Sequence, residues 1–297
     1  MFDLFVVAYE NDYPLLKIFA NSIGKFCQNL PITNIHIVNN CDAQLPVLNF
    51  GMFNDRIKFY NYKDLYNGRL IDGYVRQQVL KLSAHQVCTA ENIIILDSKN
   101  FFIRNITSAD FVIDNKFHAC YSHTITQDTL PEYPIKKYAF DLFNVSVDTP
   151  TMSINTPFLI KKQTLEELES VLVQNFNLEL DSFFGNFVPA STNEFYLMQA
   201  YIISKYGSLE EYYYFTNPFS TGLWDSNLHF LDDSMTLKDF LNVTYTNKFD
   251  IMVSAIHYRS IKEMNDSVKQ QLINYWTELD IISRDEASQI INDIVNE

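Results

Sequence analysis

Cysteine is scarce in this chain and carries no pattern. Cys27, Cys41, Cys88 and Cys120 show neither C-x-x-C spacing nor a dense disulfide framework. The chain opens on the strand-like "MFDLFVVAYE" rather than on a signal peptide, so the expected setting is reducing and cytoplasmic. Four N-x-[ST] sequons, at Asn105, Asn144, Asn242 and Asn265, then count as chance occurrences in an Asn-rich chain. Basic charge is also short. Lys and Arg total 22 against 36 Asp and Glu, a net charge of -14, so a nucleic-acid partner would need a local basic patch that the sequence does not display. No apolar run reaches the length of a membrane span. Glycine amounts to seven residues, and "AYENDYP", which follows the first apolar run, has none.

What is present is core-forming material. With 297 residues, 47% hydrophobic and 20% charged, the chain can bury a substantial core as one domain spanning residues 1–297. The first ninety-odd residues alternate strand and helix signals. "DLFVVAY" is an apolar run, and "YPLLKIFANSIGKFC" places Pro14 in a first helical turn with Leu15, Ile18, Phe19, Ile23 and Phe26 at helical spacing. "NIHIVNN" and "RIKFYNY" read as further strands. "DGYVRQQVLKLSAHQV" puts Val75, Val79 and Leu82 on one stripe before the strand "NIIIL". Alternation of this kind predicts an α/β fold with a mostly parallel sheet flanked by helices. The second half, "NTPFLIKKQTLEELESVLVQ" onward, is less regular, and no repeat or low-complexity linker divides it.

The run "IIILDSKN" at 93–100 passes from four branched apolar residues straight into an acid, a hydroxyl, an ammonium and an amide. A buried parallel strand reads as a continuous apolar run, and in open α/β sheets ligands gather outside the carboxyl ends of the strands. Polar residues there either do chemistry or make a solvated turn, which Asp, Ser and Asn all favour.

Six short motifs then occur in a telling order: "AYEND", "GYVRQQVLKL", "LDSKNFF", "NTPFLI", "NEFYLMQAYI" and "IHYRS". In that order they resemble a family of bacterial glycosyltransferases of the GT-A fold that carries a domain-of-unknown-function label. The resemblance runs from about Asp3 to Trp276. It implies a Rossmann-like nucleotide-sugar-binding half, about residues 1–105, and an acceptor-binding half, about 106–297. It also implies a D-x-D motif at the end of the fourth strand, which holds the donor diphosphate through a divalent metal, Mn or Mg. Here that motif is Asp97-Ser98-Lys99, whose second acid is replaced by lysine. Metal use is therefore in question. Lys99 is expected to take over part of the metal's work, with Asp97 and His257 as the ligands if a metal is held after all.

Each implied role has a physical reason and a plainer alternative. Ala8, Tyr9 and Glu10 lie past the first strand, where a base could stack on the tyrosine, or where Tyr9 is an ordinary loop aromatic. Arg76, Gln77 and Lys81 face away from the Val75 stripe, either toward ribose and phosphate or toward solvent. Asp97 and Ser98 suit sugar hydroxyls. His257 and Arg259, two apart, share a face if that segment is extended, and would suit a diphosphate. Glu194 is the candidate base for the acceptor hydroxyl, yet Ser191-x-x-Glu194 also matches a capping box. Asp141, Asp128 and His123 are second choices. Thr156, Pro157 and Phe158 form the expected acceptor wall, with "EEYYYF" and Trp224 as sugar-stacking surfaces. The expected function is transfer of a sugar from a UDP-sugar to a glycan or glycolipid precursor, in polysaccharide biosynthesis. The alternatives are a non-catalytic nucleotide-sugar binder and a sugar nucleotidyltransferase. The latter announces itself with a glycine-rich loop after the first strand, which "AYENDYP" lacks.

Overall fold

The computed structural model describes residues 1–66, 73–121, 133–176, 180, 193–223, 228, 231, 236–242 and 251–296. Eleven strands are described: β1 (Phe2–Ala8), β2 (Ile32–Asn39), β3 (Ile57–Asn61), β4 (Asn92–Asp97), β5 (Asn100–Phe102), β6 (Val112–Ile113), β7 (Lys116–Cys120), β8 (Phe158–Lys161), β9 (Tyr213–Thr216), β10 (Ser220–Leu223) and β11 (Val253–Ile256). The main sheet has the order β3-β2-β1-β4-β8. Its first four strands are parallel, and β8 is antiparallel to β4. All seven residues of β1 are buried, as expected of a strand covered on both faces.

Helix α1 (Tyr13–Phe26) follows β1, with a proline in its first turn. Its apolar residues serve two cores. Leu16, Phe19, Ala20 and Ile23 pack on the main sheet, while Leu15 and Ile18 enter a second cluster with Trp276, Leu272 and Ile290 from the C-terminal helices. That helix must pass close to its neighbour: a Cβ at Gly24 would meet the Phe50 carbonyl carbon at 2.9 Å. Helices α2 (Tyr62–Leu65) and α3 (Gly73–Leu82) lie between β3 and β4, and Val79 and Leu82 are buried as their spacing predicts.

The division at about residue 105 is crossed in both directions. β8, from the second half, completes the main sheet, and β5, from the first half, closes a second sheet of order β10-β11-β5. The chain leaves the main sheet at Asp97 and joins the second at Asn100, so Ser98 and Lys99 form the corner between them. A third sheet has the order β6-β7-β9.

At the amino-terminal end of the main sheet, Asp3 ties three segments together. One carboxylate oxygen accepts from the backbone N–H groups of Thr89 at 2.5 Å and Ala90 at 2.9 Å, and the other from that of Asn34 at 2.9 Å. His36 Nε2 stands 3.3 Å away. Burial alone would raise the Asp3 pKa, but His36 and these donors outweigh it and lower the value from 3.8 to about 2. A depressed carboxylate stabilises the fold above its unfolded value, and the contribution is lost as pH falls through the folded one. Asp3→Asn is expected to cost about 2 kcal/mol at neutral pH. It should also flatten the loss of stability on acidification below about pH 4. Urea unfolding at several pH values checks both, and a cost that does not change with pH would contradict the assignment.

Candidate active site

β1 connects through α1 to β2 on one side, whereas α3 delivers the chain to β4 on the other. The two connections diverge at the carboxyl ends of β1 and β4, and the gap this leaves is where α/β sheets bind ligands. A cleft of about 910 Å³ opens there. One wall is the turn after β1, with Tyr9, Asn11 and Asp12, and another is the start of α3. The floor is the Asp97–Lys99 corner. The far side is formed by Ser153–Thr156, by the start of the helix Glu194–Tyr206, and by His257, Tyr258 and Arg259 after β11.

Asp97 is the centre of the floor. Lys81 Nζ lies 2.9 Å from its Oδ1, Lys99 Nζ lies 3.1 Å from its Oδ2, and the Thr156 hydroxyl donates to Oδ2 at 3.1 Å. Gln77 Nε2 donates to Oδ1 at 3.4 Å, and the Asp97 N–H donates to Asn100 Oδ1 at 2.7 Å, which pins the strand end. Lys81 also meets Glu194 Oε1 at 2.9 Å and sits 4.8 Å from the centre of the Phe195 ring. Burial alone would raise the Asp97 pKa, yet the two ammonium groups hold it well below the usual carboxylate range. Lys81 is the converse: burial opposes its charge, and Asp97 and Glu194 overcome that, keeping it an ammonium well above its ordinary range. The floor is thus a chain of fixed charges running Lys99, Asp97, Lys81, Glu194.

Most of the residues singled out in the sequence converge on this cleft: Tyr9, Gln77, Lys81, Asp97, Ser98, Lys99, Thr156, Glu194, His257 and Arg259 all line it. Several others lie elsewhere. Ala8 is buried within β1, and Glu10 belongs to a neighbouring groove with Lys17 and Gln44. Arg76 is buried and does not itself line the cleft. Its Nε donates to Asn40 Oδ1 at 2.5 Å, another nitrogen donates to the Asn40 carbonyl at 2.6 Å, and its guanidinium lies over the Tyr62 ring at 3.9 Å. Instead of reaching phosphate, it braces the loop after β2. Phe158 is core rather than acceptor wall, fully buried and stacked on Phe195 at 4.4 Å. Pro157 is buried beside it, in a cis peptide bond with Thr156. From "EEYYYF", Tyr212 and Tyr213 are buried, Tyr214 is exposed, and β9, which Tyr213 starts, belongs to the third sheet, so none of this stretch lines the cleft as a sugar platform.

Two local expectations change. The helix Glu194–Tyr206 is capped by Asn193, whose side chain accepts from the N–H groups of Phe195 and Tyr196, so Glu194 is its first residue and its carboxylate is committed to Lys81, not to a capping box. Nor do His257 and Arg259 lie on an extended face. β11 ends at Ile256, and His257 caps a short helix by accepting the Arg259 N–H at Nδ1, 3.3 Å away. Asp141 is exposed and paired with Lys137, away from the cleft. Trp224, Asp128, His123 and Ser191 lie outside the described residues.

Sequence reasoning passed over Asp12. Its Oδ2 accepts from the Ser98 hydroxyl at 2.8 Å, and its Oδ1 is buried with no hydrogen-bond partner among the described residues. Burial raises its pKa; Lys99 and the Ser98 hydroxyl pull it back, while Asp97 adds to the rise. The signal was available: Asp12 is part of the "AYEND" motif, two residues beyond Glu10.

Residues 4–249 match a family model described only as a family of unknown function, DUF6492. The chain belongs to that family. No curated protein matches it in sequence. Among solved structures, this DUF6492 chain resembles an active-site mutant of LgtC with a TM-score of 0.50 at 13% identity, over 94% of this chain and 95% of that one. A crystal structure of the galactosyltransferase LgtC in complex with donor and acceptor sugar analogues gives a TM-score of 0.48 at 12% identity, over 98% and 95%. The fold of this DUF6492 protein is therefore that of the GT-A glycosyltransferases, a mostly parallel sheet flanked by helices.

Proposed function

We propose that this DUF6492 protein is a glycosyltransferase that moves a sugar from a nucleotide sugar, a UDP-sugar, to a glycan or glycolipid acceptor, as in polysaccharide assembly in the cytoplasm. The observation that carries the reading is the charge chain on Asp97 at the carboxyl ends of β1 and β4. Such a site suits a ligand with a negatively charged middle and polar ends. The nucleoside meets the turn after β1, where Tyr9 offers a face for the base. The diphosphate lies toward Lys99, Arg259 and His257, where a preorganised cation stabilises the charge that grows on the leaving diphosphate. Asp97 orders the two ammonium groups and the Thr156 hydroxyl around the donor sugar. Glu194, at the start of a helix and 2.9 Å from Lys81, is the base at the acceptor hydroxyl. The likeness to the LgtC active-site mutant agrees with the proposal in fold alone.

A thermal-shift screen over nucleoside diphosphates and nucleotide sugars tests the reading. UDP at a hundredfold its dissociation constant is expected to add about 2.7 kcal/mol of stability. In a crystal, the nucleotide should contact the turn after Ala8 and the Asp97 corner. A nucleotide seated wholly among residues beyond 105, or no nucleotide response at all, would overturn it. A nucleotide-sugar binder without catalysis is the second reading, favoured by the lysine in place of the second acid of the motif. Release of UDP in the presence of acceptor separates the two.

A further inference from the structure

We infer that this site handles the diphosphate of its nucleotide without a divalent cation, because the carboxylate that would hold one, Asp97, is already spent on two ammonium groups. The inference rests on the nucleotide-sugar reading and deepens it. A carboxylate offers about four lone-pair sites. At Asp97 four donors stand against them: Lys81 and Gln77 at Oδ1, Lys99 and Thr156 at Oδ2. A cation arriving there would have to displace an ammonium from a nearly buried carboxylate and would then sit beside both positive charges. Hard divalent cations demand several oxygen ligands, and the position where a second acid would supply one is Lys99.

The rest of the cleft does not make up the deficit. His257 Nδ1 already accepts the Arg259 N–H. Asp12 has one oxygen without a partner, but its other oxygen is taken by the Ser98 hydroxyl, so it offers a single ligand where several are needed. Among the described residues, one group of three side chains has ligand atoms close enough to hold a metal, Asp3, His36 and Cys88, and it lies at the opposite end of β1 from the cleft. There the Asp3 oxygens are taken by backbone N–H groups. The fixed cation at the corner is Lys99, in a turn pinned by Asn100 through Asp97 and by the Ile256 N–H on the Lys99 carbonyl, 3.3 Å. A compact ammonium with three donors is suited to phosphate oxygens.

Calorimetric titration of UDP, with ADP, CDP and GDP alongside, into the whole chain in chelator and then in manganese tests the inference. The dissociation constant for UDP is expected to agree within about threefold between the two conditions, a difference under about 0.7 kcal/mol. Lys99→Ala should weaken UDP about tenfold to a hundredfold in both. Lys99→Asp, its fold checked by urea unfolding, restores a second acid at the corner. It should lose UDP in chelator and regain it in manganese. Wild-type binding that collapses on chelation and returns with manganese overturns the inference while leaving the nucleotide reading intact. A Lys99→Asp variant that binds UDP equally well in chelator overturns the role given to Lys99. Failure of all four nucleotides to bind in either condition overturns the nucleotide reading and this inference with it.

Discussion

Lys81→Met is expected to be the most damaging single substitution in the cleft, costing about 3–5 kcal/mol of stability and abolishing nucleotide binding. Methionine keeps most of the length and the unbranched shape of the side chain and deletes the ammonium, with its charge, its donors and its place over the Phe195 ring. Lys81 is 4% exposed and bridges Asp97 Oδ1 and Glu194 Oε1. Without it Glu194 loses the cation it faces and Asp97 keeps only Lys99, so buried negative charge is left poorly compensated. The pH dependence has a definite sign. In the wild type, Lys81 titrates above its ordinary value, so its contribution is complete below about pH 10 and is lost only at more alkaline pH. Asp97 titrates below its ordinary value, so its contribution is complete above about pH 4 and is lost only in strong acid. In the variant, protonating the stranded carboxylates relieves the penalty, so the deficit relative to wild type should narrow between about pH 8 and about pH 5. Urea unfolding at the two pH values measures this. A deficit below about 1 kcal/mol, or one independent of pH, would contradict the account.

Glu194→Gln is expected to lower the transfer rate by about 10²–10⁴-fold, with donor affinity changed far less. Glutamine retains an oxygen for Lys81 to donate to, so the corner stays assembled, but an amide cannot take a proton from an acceptor hydroxyl. The structure removes the competing explanation offered by the sequence, since the helix is capped by Asn193 and its end does not depend on Glu194. Steady-state kinetics with donor and acceptor varied separately, together with a melting curve, make the comparison. Near-normal turnover with a melting loss would assign Glu194 to holding Lys81 alone.

How legible each part was follows from how local its cause is. The largely apolar runs at Leu4–Val7, Ile35–Val38 and Ile93–Leu96 mark buried strands by composition alone, and the spacing of Leu15, Ile18, Phe19 and Ile23 marks α1; all appear as read. β8 carries too few residues to announce itself, and its antiparallel pairing with β4 depends on a partner more than sixty residues away. The cleft shows the same contrast. Asp97 was found because polar residues at the end of a buried strand are conspicuous. Asp12 was overlooked because an acid in a polar turn looks ordinary until the fold buries one of its oxygens.

By itself the sequence determined the class of fold, the identity of the strand that carries Asp97, and the substitution of Lys99 for a second acid, because each rests on residue type and short-range periodicity. Only the tertiary structure decided which charges meet. Arg76 and Lys81 lie on one helix, yet Arg76 is drawn to Asn40 and the Tyr62 ring while Lys81 is buried between Asp97 and Glu194. Glu194 starts a helix that Asn193 caps, so its carboxylate pairs with Lys81 on the cleft instead of closing the helix end. Phe158 was offered as surface and became core because β8 closes the edge of the main sheet. The physical reason is common to all of them. Hydrophobic pattern specifies which face of an element is buried, whereas the partner of a charge is specified by where the other elements come to rest, and a charge that is taken out of water must find an opposite one wherever the chain has brought it.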